Sequence, residues 1–257
     1  MLEDNHADIL GKACTGLGIS PGRFPGAFLD SPDEMGLRAA AGALGLAADP
    51  LAAIARGEYL PDAGLVPDGL AMFTTPFADM LVNSYVVWDG KSAAAFDTGT
   101  DCDGMLDLVR ERGLRLESVF ITHTHGDHIY DLDRLLEKTG AKAWTGEAVA
   151  GAELFAPGRG FSLGSLKIST RLTCGHSPSG ITYVVEGLSR RIAVSGDALF
   201  AGSMGGGKVS YADALRTTRD EILSLPPDTL VCPGHGPMTS VGGELAHNPF
   251  FAVQAGR

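Results

Sequence analysis

Three histidines and one aspartate lie within six consecutive positions of this chain, in the segment His123-Thr124-His125-Gly126-Asp127-His128. Neutral imidazole is a good ligand for zinc and iron, and a carboxylate adds a harder oxygen donor. The whole chain contains only seven histidines, so this short segment holds nearly half of them. The residue types and their spacing therefore predict a metal site.

The residues around this segment indicate how it is positioned. Residues 119–123 begin with β-branched and aromatic side chains, which favours a buried strand, and residues 129–138 favour a helix with a leucine-rich inner face. A strand end followed by a helix start directs side chains into one crevice, where open α/β sheets bind their ligands. We therefore expect the metal site at the end of this strand.

Three more predicted strand ends carry a residue that could bind a metal, and each of these residues has a glycine beside it. Glycine lets the backbone pass close to a crowded site. Taken alone, a histidine or aspartate at a strand end more often has a hydrogen-bonded structural role. Together the four segments supply five histidines and two aspartates, which suits two metals that share one carboxylate and a water-derived hydroxide. The three additional residues are His176, Asp197 and His235.

In this order the residues resemble the complete metal signature of the metallo-β-lactamase superfamily. The resemblance implies an αββα sandwich of the α/β class over residues 67–257, with two divalent metals. Zinc is favoured, and iron and manganese are alternatives. It also implies that Asp127 and Asp197 act in catalysis and that Asp97 orients a ligand histidine, although an ordinary turn aspartate is the alternative for Asp97. The implied ligands are His123, His125 and His176 for the first metal, Asp127, His128 and His235 for the second, and Asp197 as the bridge.

Within the superfamily the chain is similar to the glyoxalase II-like hydrolases. The resemblance implies hydrolysis of a thioester or related ester, in which a metal-bridging hydroxide attacks the carbonyl. True β-lactamases of the superfamily lack the bridging aspartate, so Asp197 argues against antibiotic hydrolysis. Two glutathione-binding features of the group are replaced here: only 22 residues follow His235, and residues 202–208 form a different turn. The similar motifs are Gly196-Asp197-Ala198-Leu199-Phe200, Gly234-His235-Gly236-Pro237 and Gly243-Glu244 with Asn248-Pro249-Phe250.

Two other functions remain open at this point. Persulfide dioxygenases share the fold but bind one iron, through residues that correspond to His123, His176 and Asp197; the residues around His235 favour the hydrolase. A metal-domain sensor or regulator, with the N-terminal segment as its binding element, is the second alternative.

Residues 1–66 differ in pattern from the rest of the chain. We predict helices over residues 7–16 and 33–46, and a third that is capped by Asp49 and ends at Gly57. The arrangement resembles a shortened phage-repressor-like helix-turn-helix module. Its four basic residues are outnumbered by nine acidic ones, which disfavours DNA binding. We therefore expect a packing or dimerisation extension, joined by residues 61–67 to the catalytic domain of residues 67–257.

The remaining chain alternates between strands and helices. It contains neither repeats nor low-complexity segments. The predicted strands are residues 83–88, 92–96, 180–186, 190–195 and 229–232, with a hairpin over 160–173, and the predicted helices are residues 102–112 and 211–225.

The composition of the chain limits the kinds of binding partner that we expect. A net charge of −11 disfavours nucleic acid, because phosphate binding needs a basic face, and leaves a small-molecule substrate and a homodimer as the expected partners. No apolar run approaches membrane-spanning length and the N-terminal residues are acidic, so we expect a cytoplasmic protein without a membrane partner. The four cysteines have no CxxC spacing, which favours reduced thiols, with a direct cysteine ligand as a minor alternative. We expect His6 and Lys208 to be solvated and His247 to be structural, although Lys208 could instead contact an anionic substrate.

Overall fold

A computed structural model describes residues 1–252 of the protein. The chain begins with three helices. The first has a capping box: the Asn5 side chain accepts from the N–H of Asp8, and the Asp8 carboxylate accepts from the N–H of Asn5. The cap predicted at Asp49 was wrong, because the third helix begins at Ala48 and Asp49 lies in its first turn, where the helix dipole favours a carboxylate. The helices are α1 (His6–Leu17), α2 (Glu34–Leu44) and α3 (Ala48–Ala55).

Six strands form the first sheet, in the order β1-β2-β3-β4-β5-β6. The pairs β1–β2 and β2–β3 are antiparallel and the later pairs are parallel. Gly90 lies in the turn between β2 and β3 with a φ of 58°. The strands are β1 (Leu70–Phe77), β2 (Met80–Asp89), β3 (Ser92–Phe96), β4 (Arg115–Ile121), β5 (Lys142–Thr145) and β6 (Ala152–Leu154), and the helices between them are α4 (Asp103–Arg112), α5 (Gly126–Ile129) and α6 (Leu132–Thr139).

Six further strands form the second sheet, in the order β12-β11-β10-β9-β8-β7. Only β10 and β11 pair in parallel among the described strands of this sheet. The strands are β7 (Gly160–Leu163), β8 (Leu166–Leu172), β9 (Ile181–Glu186), β10 (Ile192–Gly196), β11 (Leu230–Pro233) and β12 (Thr239–Ser240), and the helices are α7 (Tyr211–Thr217) and α8 (Val241–His247).

The two sheets pack face to face and helices cover both outer faces, so the predicted αββα sandwich is confirmed. Tyr85, Phe96 and Phe120 of the first sheet contact Tyr183 and Ile168 of the second in the central core. A second core lies between the first sheet and helices α4 and α6. Both cores hold the strand ends that carry the metal-site residues.

The N-terminal helices cover the outer face of the second sheet. Ile9 and Leu10 of α1 are fully buried in the same apolar cluster as Val184, Ala193 and Val231 of that sheet. Since complete burial of a leucine side chain contributes roughly 2 kcal/mol, this packing is a substantial part of the stability of the outer layer.

Several predicted boundaries differ from the structure. Strand β4 ends at Ile121 and not at residue 123, so the first histidines lie in a loop. The helix expected over residues 211–225 is α-helical only to Thr217 and continues as a π-helical turn to Ile222. Strands β1, β5, β6 and β12 and helix α8 were not predicted; three of these strands have four residues or fewer, too short for a clear hydrophobic period. No helix within residues 1–252 has both the length and the apolar character needed to span a bilayer.

Candidate metal centre

All seven predicted ligand residues lie at one edge of the sandwich, and the structure brings them together. Each follows a strand end of one of the two sheets or lies on the short helix α5. Their donor atoms form two groups, and within each group all atoms lie within 4.8 Å of one another. The groups are His123, His125, His176 and Asp197, and Asp127, His128 and His235.

The first group places three imidazole nitrogens around a common point. His125 Nδ1 lies 2.9 Å from His123 Nε2 and 3.0 Å from His176 Nε2. Asp197 Oδ2 lies 3.2 Å from His176 Nε2 and 3.8 Å from His123 Nε2. Three nitrogens and one carboxylate oxygen are a donor set that fits a tetrahedral divalent cation.

The second group is built around two carboxylates. Asp127 Oδ2 lies 3.2 Å from His235 Nε2 and 3.4 Å from His128 Nε2. Asp197 Oδ1 lies 3.2 Å from His128 Nε2 and 3.5 Å from His235 Nε2. One oxygen of Asp197 therefore faces each donor group.

Hydrogen bonds on the far side of four imidazole rings fix their tautomers. A ring that donates its Nδ1–H keeps the lone pair of Nε2 available for a metal. Carboxylate and carbonyl oxygens can only accept, so the rings facing them must be the donors. The donations from Nδ1 are His128 to Asp97 Oδ2 at 2.8 Å, His176 to the Gly206 carbonyl at 2.9 Å, His235 to the Leu81 carbonyl at 2.6 Å and His123 to Thr122 Oγ1 at 3.1 Å.

Asp97 connects two ligand histidines. It has a φ of 55°, a left-handed conformation that aspartate tolerates better than most residues. Its Oδ1 accepts from the Thr122 N–H and its Oδ2 from the Thr122 hydroxyl, both at 2.7 Å. Because that hydroxyl donates to Asp97, its oxygen is free to accept from His123. Asp97 thus orients His128 directly and His123 through Thr122, in agreement with its expected role and not with that of an ordinary turn aspartate.

Burial and close charges set the protonation of the centre. Burial lowers the pKa of His123 well below its usual range, and His128 adds to the effect. Burial opposes ionisation of Asp197, but His128, His176 and His235 hold its pKa well below the usual range. For His123 and Asp197 these shifts favour the forms that bind metals, a neutral imidazole and an ionised carboxylate. At His128 and His235 burial opposes the protonated form, but the neighbouring carboxylates raise the pKa.

Two buried polar atoms support a metal in the second group. His128 Nε2 and Asp197 Oδ1 are buried, and neither forms a hydrogen bond with the described part of the protein. Buried polar atoms are costly unless they are paired, and a cation between the donors would pair both. Gly234 leaves the necessary room, since a Cβ at this position would lie 2.7 Å from His128 Cε1.

Two residues that position the donor loops were not identified from the sequence. The Glu147 carboxylate accepts from the Thr124 hydroxyl at 2.7 Å and from the Ser179 N–H at 2.9 Å, which joins the loop of the first histidines to the loop after His176. Asn83 donates to the carbonyl of Gly236 at 2.7 Å and holds the loop of His235. Only tertiary structure brings these residues to the site, and neither has a local sequence signal.

The other residues discussed in the sequence analysis lie outside the two donor groups. His6 is buried and not solvated as expected, because its ring bonds to the Leu29 carbonyl at 3.0 Å. His247 lies on α8 with its ring 5.8 Å from that of Tyr59, and Lys208 is exposed near His125. All four cysteines are free thiols, and none belongs to a donor group among residues 1–252.

The chain belongs to the metallo-β-lactamase superfamily. The family model described as "Metallo-beta-lactamase superfamily" matches residues 78–163 and 158–235, which together span more than half of the sequence. The match includes all seven residues of the metal centre and leaves out the N-terminal helices.

Two curated relatives narrow the class of protein within the superfamily. The chain is 30% identical to the probable metallo-hydrolase YqgX of Bacillus subtilis, over 68% of this chain and 95% of that protein. It is 25% identical to the hydroxyacylglutathione hydrolase GloC of Haemophilus influenzae, over 66% of this chain and 92% of that protein. Family and relatives together indicate a metal-dependent hydrolase that acts on a small molecule.

Two solved structures share the fold. ETHE1 from Myxococcus xanthus is 27% identical with a TM-score of 0.61, over 70% of this chain and 83% of that chain. TTHA1623 in a di-iron-bound form is 25% identical with a TM-score of 0.57, over 70% of this chain and all of that chain.

Proposed function

We propose that the protein is a binuclear metal-dependent hydrolase of a thioester or related ester, in the manner of the glyoxalase II-like group. The observation that carries the proposal is the position of Asp197, whose two oxygens face the two donor groups separately. A carboxylate in this position would bridge two cations. The di-iron form of TTHA1623 supports two metals in this fold, and the similarity to GloC supports the thioester.

The residues of the centre would have the following roles. His123, His125 and His176 would hold the first metal, and Asp127, His128 and His235 the second. When bound, a metal pair supplies a hydroxide at neutral pH and polarises the substrate carbonyl. Asp127 and Asp197 would offset part of the positive charge of the metals, and the buried position of the donor residues would limit the access of bulk water. A thiolate leaves readily with little protonation, so the site needs no further general acid.

Metal stoichiometry and activity test this function together. Protein purified without chelator would be analysed for zinc, iron and manganese, and then assayed with a panel of thioesters and oxygen esters. We expect two metal ions per chain and hydrolysis of thioesters that is lost with chelator and restored by metal.

One iron per chain would instead favour the mononuclear alternative, in which His123, His176 and Asp197 bind the metal. Oxygen uptake with a persulfide would then be measured. Two metals per chain without any ester or thioester hydrolysis would leave the metal centre in place and contradict the proposed reaction.

A further inference from the structure

The residues that precede helix α1 lie against the metal centre. The segment Met1–Asp4, here the amino-terminal segment, packs on the loop that carries His235. A Cβ placed on Gly236 would lie 3.2 Å from Glu3 N and 3.4 Å from Glu3 Cβ. The family model begins only at residue 78, so this contact is made by a part of the chain outside the match.

The amino-terminal segment is anchored at Asp4. Lys12 of α1 forms an ion pair with Asp4 and donates to the Met204 carbonyl at 2.9 Å. The Lys12 ammonium also lies 5.1 Å from the centre of the Phe200 ring, which is nearly perpendicular to the His235 ring. Both side chains of the ion pair are largely buried, so the segment has a fixed position beside the centre.

Glu3 is the charged group of this segment that faces the centre. Its backbone N and its Cβ lie against Gly236, the residue that follows His235, and burial raises the pKa of its carboxyl. Within residues 1–252 the Glu3 side chain has no hydrogen bond and no ion pair, unlike Asp4. A half-buried carboxylate without a partner raises the free energy of the folded state, and a cation beside it would offset that increase.

A groove of about 680 Å³ separates the amino-terminal segment from the β1–β2 hairpin and reaches Gly236. Its size suits a small molecule. Met72, Met80 and Leu81 give it a partly exposed apolar wall. Among the described residues, the lining of the groove includes four acidic residues and no basic residue: Glu3, Asp4, Asp8 and Asp79. Of these four, only Asp4 is neutralised by an ion pair.

We propose that the amino-terminal segment forms one wall of the substrate groove and that Glu3 determines specificity, selecting substrates with a protonated amine and an apolar body over substrates with a carboxylate on that side. The inference rests on the proposed hydrolytic function and names its substrate class. It also agrees with the replaced glutathione-binding features, because glutathione presents two carboxylates.

Three small thiols that differ in tail charge test the inference: 2-aminoethanethiol, 2-mercaptoethanol and mercaptoacetate. Thiolates bind metals, so each would bind the metal-loaded, full-length protein and present its tail to the wall beside the centre. We expect the cationic thiol to bind more tightly than the anionic one, with Kd values from calorimetry. Glu3→Gln should reduce that preference about fivefold, equal to about 1 kcal/mol, and Glu3→Lys should invert it.

Glu34→Gln is the matched control, because Glu34 lies on the same N-terminal extension but is exposed and paired with Arg38. It should leave the preference unchanged. Equal affinities for the three thiols, or a preference that Glu3→Gln does not alter, would overturn the inference. Loss of metal from Glu3→Gln would overturn it as well, since Glu3 would then be a ligand. Thiol binding needs no turnover, so an intact charge preference in a protein that hydrolyses no thioester would count against the proposed function alone.

Discussion

At the scale of single residues, the centre depends on how each donor is oriented as much as on which donors are present. Asp197 lies between the two donor groups, and Asp97 lies behind the second with its carboxylate shared between Thr122 and His128. These two aspartates therefore separate metal bridging from ligand orientation.

Replacing the bridging carboxylate should remove the metal pair. We expect Asp197→Ala to bind fewer than two metals per chain and to lose at least about 100-fold in hydrolysis, because neither donor group keeps its shared oxygen. Elemental analysis and thioester assays would measure this. Asp213→Ala, at a half-exposed position on α7, is the control that should retain both. Two metals and full activity in Asp197→Ala would contradict the binuclear arrangement.

Changing Asp97 should weaken metal binding without removing a ligand. In Asp97→Asn an amide replaces the carboxylate that accepts hydrogen bonds from Thr122 and from His128. The NH₂ group of the amide cannot accept a hydrogen bond from either residue. We expect metal affinity to fall about 10- to 100-fold, measured by competition with a chromophoric chelator. Asp101→Asn, an exposed neighbour, should leave the affinity unchanged. Equal losses in both variants would show that the Asp97 contacts do not orient the ligand.

At the scale of elements, one carboxylate joins three separate segments behind the centre. Glu244 of α8 is fully buried and accepts from the Tyr59 hydroxyl at 2.8 Å, which ties the end of the N-terminal extension to the C-terminal helix. It also accepts from the Gly202 N–H at 2.9 Å and the Asn248 amide at 2.8 Å. Burial raises the pKa of Glu244, and these donors only partly offset the effect.

Stability should depend on pH through Glu244. Because its pKa is higher in the folded state than in the unfolded state, the folded state holds the proton more tightly. Its contribution to the free energy of unfolding is therefore complete below the ordinary carboxyl pKa and decreases as pH rises through the raised value. We expect Glu244→Gln to destabilise the protein by about 1–2 kcal/mol at low pH, and by less as the pH increases.

Urea unfolding at several pH values would test this prediction. The quantity to follow is the difference in free energy between wild type and variant, since the other titrating groups cancel in it. Glu221→Gln, a partly exposed position near the end of the π-helical turn, should give only a small difference. A difference for Glu244→Gln that grows with pH would contradict the sign of the shift.

At the scale of the whole molecule, the N-terminal helices complete the outer layer of the second sheet. A single apolar cluster includes residues from α1, α2, α3, β9, β10 and β11. We propose that residues 1–66, although distinct in sequence, unfold together with the catalytic domain, because separation would expose this cluster to water. The same packing places the amino-terminal segment beside His235.

Truncating a buried side chain of α1 should therefore destabilise the entire molecule. Leu10 is fully buried and Leu17, on the same helix, is 47% exposed. We expect Leu10→Ala to lower the free energy of unfolding by about 3 kcal/mol in a single transition, and Leu17→Ala to have little effect. Circular dichroism with calorimetry would measure both. Two separate transitions, with only the smaller one shifted, would show that the extension unfolds independently.

The amino-acid sequence indicated the candidate donor residues, and their resemblance to the metallo-β-lactamase superfamily implied the fold class. His123, His125, Asp127 and His128 are dense enough in one segment to indicate a metal site, and glycines beside the other three donors mark crowded strand ends. The reason is physical: metal binding needs particular atom types, and strands and helices have their own hydrophobic periods. Both properties can be read along the chain.

Tertiary packing sets how the candidate donors are held and what surrounds them. Glu147 and Asn83 hold loops that carry candidate donors, and Lys12 anchors the amino-terminal segment. These roles depend on distances that no local pattern encodes. The seven-residue set was expected from the sequence, but the separate orientation of the two Asp197 oxygens follows from the packing of β10 against its neighbours. Likewise, the position of Glu3 beside His235 arises from contacts between opposite ends of the chain, because packing, unlike ligand chemistry, is a property of the assembled molecule.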